Sequence, residues 1–390
     1  MSIDMNTFKI ILFLTVSIIA SHVLLGSDAG VTFIGPSNYI PRLDLPQNIP
    51  LHSADSCKDC HREIYDQWRE SLHSKSSTNP VFQACWTARN NPPFCSNCHF
   101  PMLEQKPKIL RGFKETGPSP FVAIKNKEFD AILMKEGVTC VVCHLRNKTI
   151  YGPRKIKEGE APHPVKYDPS FQKSEFCYTC HSWGFPRARI KKTCYTSDEY
   201  KRSGKKETCQ DCHMERKEGL ASLGKPRRIY GMHDQKSSRS PEELRKALKT
   251  ELKTEKDTSK PGDKVKAEIR VTNTGAGHYV PTGCPVRAIA ARVAVLDENG
   301  EEKGLKEYFI TRTFEFPGYP TEVKDGRLAP GECKSFYYKY KIPRDASFKK
   351  LTLRLDMIEY LIFPKKADEA PIPFSKITVP FYSTSVEIMK

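Results

Sequence analysis

The sequence predicts an α+β protein of more than one domain, in which a cofactor-packed region of short helices and loops is followed by an antiparallel β-sandwich. Three observations predict it. The motif Cys-x-x-Cys-His occurs five times between residues 57 and 213 and never afterwards. Beyond residue 240 the apolar residues alternate in short runs punctuated by Pro-Gly and Asn-Gly turns, the pattern of half-buried strands. One apolar run, residues 10–26, stands at the start of the chain, and no second run of that length follows it.

The five motifs are Cys57-Lys58-Asp59-Cys60-His61, Cys95-Ser96-Asn97-Cys98-His99, Cys140-Val141-Val142-Cys143-His144, Cys177-Tyr178-Thr179-Cys180-His181 and Cys209-Gln210-Asp211-Cys212-His213. Cys-x-x-Cys-His is the attachment signature of haem c. The two thiols can form thioethers with the two vinyl groups of one porphyrin, and the His that follows is held beneath the iron as its proximal ligand. A bare Cys-x-x-Cys also serves as a redox pair or half a zinc site. Repetition with His directly after the second Cys in every copy favours five covalently attached haems.

The 390 residues allow two or three domains, and with 28% charged and 38% hydrophobic residues the chain is not a multispanning membrane protein. The net charge of +17 would suit nucleic acid or a membrane surface. Five haems would bring about ten propionates, however, which answer much of that excess. No aromatic-basic motif accompanies the charge, so nucleic acid is not expected as a partner.

Along the chain, residues 1–29 are expected to be a signal peptide or, uncleaved, an N-terminal anchor that would supply the only membrane contact. Export to the periplasm or beyond follows from either. Residues 30–51, rich in Pro, Gly and Asn, are expected to form an extended arm. The pentahaem region spans 52–240. Its clearest helix is Glu63–Ser74, with Ile64, Trp68 and Leu72 on one face, and Trp68 is free to pack on a haem or in an ordinary core. The β-sandwich takes 241–390. It opens with a helix over Glu242–Leu252 behind Ser240-Pro241, then about seven strands, including 265–271, 288–296, 337–342, 351–355 and 377–381. Four cysteines lie outside the motifs. In an exported protein Cys284 would pair with Cys333 and Cys85 with Cys194, each inside one domain.

A motif His fills one axial position, and the other decides whether an iron can bind a substrate or only carry electrons. Apart from the motifs and His22 in the export segment, the sequence holds His52, His73, His163, His233 and His278, a match of five candidate distal ligands to five irons. If Glu63–Ser74 is helical, His73 sits roughly 18 Å along the axis from His61 and must serve a different haem. Met102, Met134, Met214 and Met232 are read as packing residues, since His-Met ligation would leave a histidine idle. Bis-His ligation would also favour lower potentials.

Cys57–Ser74, Glu136–Cys140, Phe176–His181 and Tyr230-Gly231-Met232-His233-Asp234 resemble segments of periplasmic multihaem cytochromes c. That group includes the tetrahaem carrier that takes electrons from hydroxylamine oxidoreductase. The resemblance implies that His73 and His233 are iron ligands. The segment Asn273–Gly283 is similar to the Gly-His-x-x-Pro-Thr-Gly signature of such cytochromes with a C-terminal β domain. Five haems and the added domain depart from the tetrahaem carrier, so its partner is not carried over. Cys-x-x-Cys-Lys, which marks pentahaem nitrite reductase, is absent.

The expected function is electron transfer between other redox proteins through five bis-His haems, with no catalytic residue. A reductase of a small nitrogen or sulfur oxyanion at one open haem is the alternative, and a subunit of an extracellular conducting assembly is a third. Homo-oligomerisation is left open by the sequence.

Overall fold

The computed structural model describes residues 40, 43–87, 91–92, 95–113, 121–183, 194–237, 239–315, 321–361 and 372–390. The expected signal peptide or anchor and the first part of the arm lie outside them. What is described of the arm is anchored by apolar side chains: Ile40, Leu43 and Ile49 are buried, and Ile40 bridges to Met102. Among the described residues no helix is long and apolar enough to cross a membrane.

In the motif region the helices are short, and four of the five motifs lie on them. Ser96–His99, Cys140–His144, Glu175–His181 and Cys209–His213 each end on the motif histidine. The first motif differs: His61 precedes the helix Arg62–Glu70. That helix is shorter than the expected Glu63–Ser74. Ser71 turns extended, at φ −69° and ψ 162°, and the Ser74 hydroxyl donates to the carbonyls of Arg69 and Ser71. Serine side chains that bond local carbonyls compete with helix continuation, and here they stop it three residues before His73. Trp68 is buried and donates its indole N–H to Val138 O at 2.8 Å, so its polar edge is spent on backbone.

Sheet structure in this region is minor: β1 (Lys108–Phe113) with β2 (Phe121–Lys125), β3 (Leu145–Arg146) with β4 (Thr149–Gly152) and β5 (Val165–Tyr167), β6 (Ser182–Trp183) with β7 (Cys194–Tyr195), and β8 (Arg216–Gly219) with β9 (Arg228–Gly231). One compact apolar cluster serves the region, built from Ile40, Leu43, Met102, Leu133, Val141, Val142 and Leu145. Met102 and its neighbours are core, as the packing reading of that methionine expects.

From Pro241 the structure changes. Ser240 caps a helix, Pro241–Ala247, that stops five residues before Leu252; at Leu248 the backbone becomes extended and enters β10 (Leu248–Thr254). The expected helix to Leu252 is therefore corrected. Leu244 and Leu248 fit one helical face, but both reach the same core without the helix continuing, and the whole of β10 pairs with residues 267–273 of β11 (Lys264–Asn273). Pairing satisfies a sheet edge that a longer helix would have left open. The remaining strands are β12 (Ala288–Leu296), β13 (Glu302–Glu315), β14 (Thr321–Asp325), β15 (Cys333–Lys341), β16 (Lys350–Tyr360) and β17 (Thr378–Met389). They form two antiparallel sheets, β10-β11-β15 and β14-β13-β12-β16-β17. Alternate residues of both, among them Ile269, Val293, Tyr338, Leu353 and Phe381, share one core.

Candidate haem sites

The histidines of four motifs are oriented by backbone carbonyls. Nδ1–H donates to Ala221 O in His61 (2.7 Å), to Ser76 O in His99 (3.1 Å), to Tyr151 O in His144 (2.7 Å) and to Lys236 O in His213 (2.8 Å). A carbonyl at Nδ1 fixes the tautomer and leaves the lone pair on Nε2, the usual setting of a metal-ligating imidazole. Burial favours the neutral ring at three motif histidines: it brings His99 and His181 down to about 4, and it lowers His144. Only the neutral imidazole binds a metal.

Three of the spare histidines show the same preparation. His73 donates from Nδ1 to Gln235 Oε1 (2.7 Å), His233 to Gly231 O (2.9 Å) and His278 to Tyr279 O (2.9 Å). Burial depresses all three, His233 to about 4. Each sits opposite one motif histidine. Ring centroids are 6.1 Å apart for His73 and His181, 6.3 Å for His233 and His144, and 6.3 Å for His278 and His213. Two imidazoles on one iron, with metal–nitrogen bonds near 2 Å, need centroids about 6 Å apart. The residues therefore fit haem iron at these three places. His73 faces the fourth motif, so it and its neighbour His61 do not share a site, although the helix between them is shorter than expected. His163 lies close enough to His61 for the two rings to feel each other electrostatically, and burial lowers its pKa first.

His52 differs from the other four spare histidines. Its Nε2 donates to Leu43 O at 2.6 Å, and its Nδ1 lies 3.8 Å from Glu104 Oε1. The Nε2 of His52 is thus taken by a backbone carbonyl, while Nδ1 lies beyond hydrogen-bond distance of Glu104. His99 has Phe82 stacked on it at 3.8 Å, and Trp86 and Phe100 complete the aromatic cluster. Among the described residues no spare histidine ring faces His99 as one faces His144, His181 and His213.

The motifs are also close to one another. Cysteines of different motifs lie close together, Cys57 by Cys140, Cys98 by Cys180 and Cys177 by Cys209. This sets motif 1 beside 3, 2 beside 4, and 4 beside 5.

Long-range polar contacts hold the ligand segments. Glu63 accepts from Leu220 N–H and the Tyr230 hydroxyl, and Gln67 accepts from His233 N–H at 2.9 Å. Gly137 adopts φ +62°, and a Cβ there would strike the carbonyl of His73 and the Ser76 hydroxyl, so only glycine brings this turn so close to a ligand. Gly277 also makes a close approach: a Cβ there would lie 2.6 Å from the Tyr200 ring. Sequence reasoning did not single out Glu199, Lys106 or Gln105, all buried. Glu199 accepts from Tyr279 N–H, the Thr282 hydroxyl and Arg327, which docks the His278 loop onto helix Thr196–Ser203. Lys106 donates to Ser96 Oγ at 2.8 Å and is pushed down to about 7 by burial. Single buried polar residues in short elements leave no periodic pattern, so the sequence carries no signal for these.

Neither expected disulfide is bonded in the structure. Cys333 lies exposed on β15 opposite Thr272, with Arg270 Nη2 at 3.9 Å, and Cys194 lies near Cys284.

No known protein family and no curated protein sequence matches the chain. Among solved structures it is similar to a penta-heme cytochrome c552 from Thermochromatium tepidum, at a TM-score of 0.63 and 18% identity over 86% of this chain and 98% of that one. At that identity the likeness is one of fold. A CARDB domain from Pyrococcus furiosus (TM-score 0.20, 14% identity, 36% of this chain and 85% of that one) and the sporulation control protein Spo0M from Bacillus subtilis (0.18, 18%, 37% and 49%) are too distant to carry an argument.

Proposed function

We propose that the protein is an exported pentahaem c-type cytochrome that passes electrons between redox partners. The observation that carries this reading is the set of three histidine pairs at 6.1–6.3 Å, each joining a motif histidine to one distant in sequence. The five motifs and the fold shared with a penta-heme cytochrome support it. Each bound haem would supply a one-electron iron couple. The chain's own residues attach it by two thioethers, fix the axial imidazoles through carbonyls, and keep them neutral by burial. Thiol contacts between motifs would bring neighbouring haems close enough to exchange electrons.

In this reading His73, His233 and His278 complete the sites of His181, His144 and His213, and His163 completes that of His61. The site at Cys95, Cys98 and His99 then has no histidine for its second axial position, because the Nε2 of His52 is taken by the carbonyl of Leu43. That geometry favours one five-coordinate haem and keeps reduction of a small nitrogen or sulfur oxyanion as the second reading. Electron paramagnetic resonance of the ferric protein tests both. We expect four low-spin haems and one high-spin haem that binds cyanide. Five low-spin haems indifferent to cyanide would return the protein to a carrier with every site closed, and an intact mass showing fewer than five haems would overturn the assignment itself.

A further inference from the structure

We propose that Cys194 and Cys284 form a disulfide that fastens the β-sheet domain to the motif region beside the His278 loop. The inference rests on the exported, haem-bearing protein proposed above. Ten of the 14 cysteines belong to motifs, leaving these two with Cys85 and Cys333.

The placement comes from the contact between residues 194–199 and 279–284. Tyr279 N–H donates to Glu199 Oε2 at 3.3 Å, and the hydroxyls of Thr196 and Thr282 lie 2.9 Å apart. The two segments thus pass each other in opposite directions. Two residues further out on each lie Cys194 and Cys284. Their proximity has an electrostatic signature as well: the Cys194 thiol is raised to about 12, by burial first and next by Cys284. Arg287, whose N–H donates to Cys284 O at 3.2 Å, is near Cys194 too. Cys333 has no such neighbourhood, being exposed on β15 beside Arg270.

The two thiols are unequal in a way that suits the chemistry. Cys284 is exposed, and Cys194 is only partly accessible. The Cys284 thiolate attacks a disulfide of a thiol-oxidising protein, displacing one of its sulfurs and forming a mixed disulfide. Cys194 then attacks the Cys284 sulfur of that bond. Two S–H bonds are lost and one Sγ–Sγ bond forms, while the oxidant's disulfide takes up the two electrons and two protons and leaves as a dithiol. The covalent bond would pin the loop six residues from His278.

Peptide mapping of the holoprotein decides it. The protein is denatured without reductant in the presence of an alkylating agent, which cannot touch thioether-bound motif cysteines. The Cys194 peptide should be recovered linked to the Cys284 peptide, with Cys85 and Cys333 alkylated. Alkylation of both Cys194 and Cys284, or linkage of either to another cysteine, overturns the proposal. The haem count of the same sample shows separately whether the cytochrome reading stands. As a second measurement, C284S holoprotein should expose Cys194 to the alkylating agent and be cut faster than wild type near residues 236–246. Unchanged alkylation of Cys194 between wild type and C284S would overturn the bond even if the variant folds poorly.

Discussion

His278 and His52 differ in which ring nitrogen the protein uses, and under the proposed assignment that difference separates a ligand from a bystander. His278 gives Nδ1 to Tyr279 O and sits 6.3 Å from His213, whereas His52 gives Nε2 to Leu43 O and leans on Glu104. Sequence composition treats the two alike, because each is a histidine outside a motif. Replacing His278 with Ala should convert one haem from low to high spin, seen as a new high-spin ferric signal equal to one iron per chain. Replacing His52 with Ala should leave the spin-state count unchanged, and should cost no more than about 1–3 kcal/mol through the unpaired carbonyl of Leu43. A new high-spin signal in the His52 variant would restore it as a ligand and close the site at His99.

At the level of elements, the contact between helix Thr196–Ser203 and the His278 loop depends on one buried carboxylate. Glu199 binds Arg327 at 2.6 Å, and Arg327 is also paired with Asp325 at 2.8 Å. Removing one partner of a buried, hydrogen-bonded ion pair costs up to about 3–5 kcal/mol, an upper bound here because Asp325 still pairs with Arg327. Glu199→Ala should therefore lower the denaturation midpoint sharply. Lys249→Ala, which breaks only the exposed pair with Glu251, should change it by well under about 1 kcal/mol. Equal effects would show that Glu199 is not what docks the loop. The strands β11, β12 and β16 were legible in the sequence because alternate apolar residues face one core along them. β10 was not, since Leu244 and Leu248 satisfy a helical spacing equally well and only pairing with β11 decides between them. The motif cysteines and histidines could be read from a local pattern. Glu199 and the pairing of each distal histidine with a motif histidine depend on contacts between residues far apart in sequence, which no local pattern encodes.

For the whole molecule, the histidines tie stability to pH. Burial holds His99, His181 and His233 at about 4, against about 6.5 for a free imidazole. Between those values the unfolded chain binds protons at these positions that the native protein refuses. Stability therefore rises with pH across the window, is fully present above about pH 6.5, and is lost as pH falls toward 4, at up to about 1.4 kcal/mol per pH unit for each such histidine. Iron ligation acts in the same direction, because it too requires the neutral ring. The surface charge reinforces the trend: a chain of +17 gains further positive charge on acidification, which adds self-repulsion to the native state. Denaturant midpoints of the ferric holoprotein, followed by the low-spin absorption band, should fall steadily from pH 7 to pH 4.5. A midpoint that stays level across that range would show that the buried imidazoles do not govern stability, and would count against their being held as neutral iron ligands.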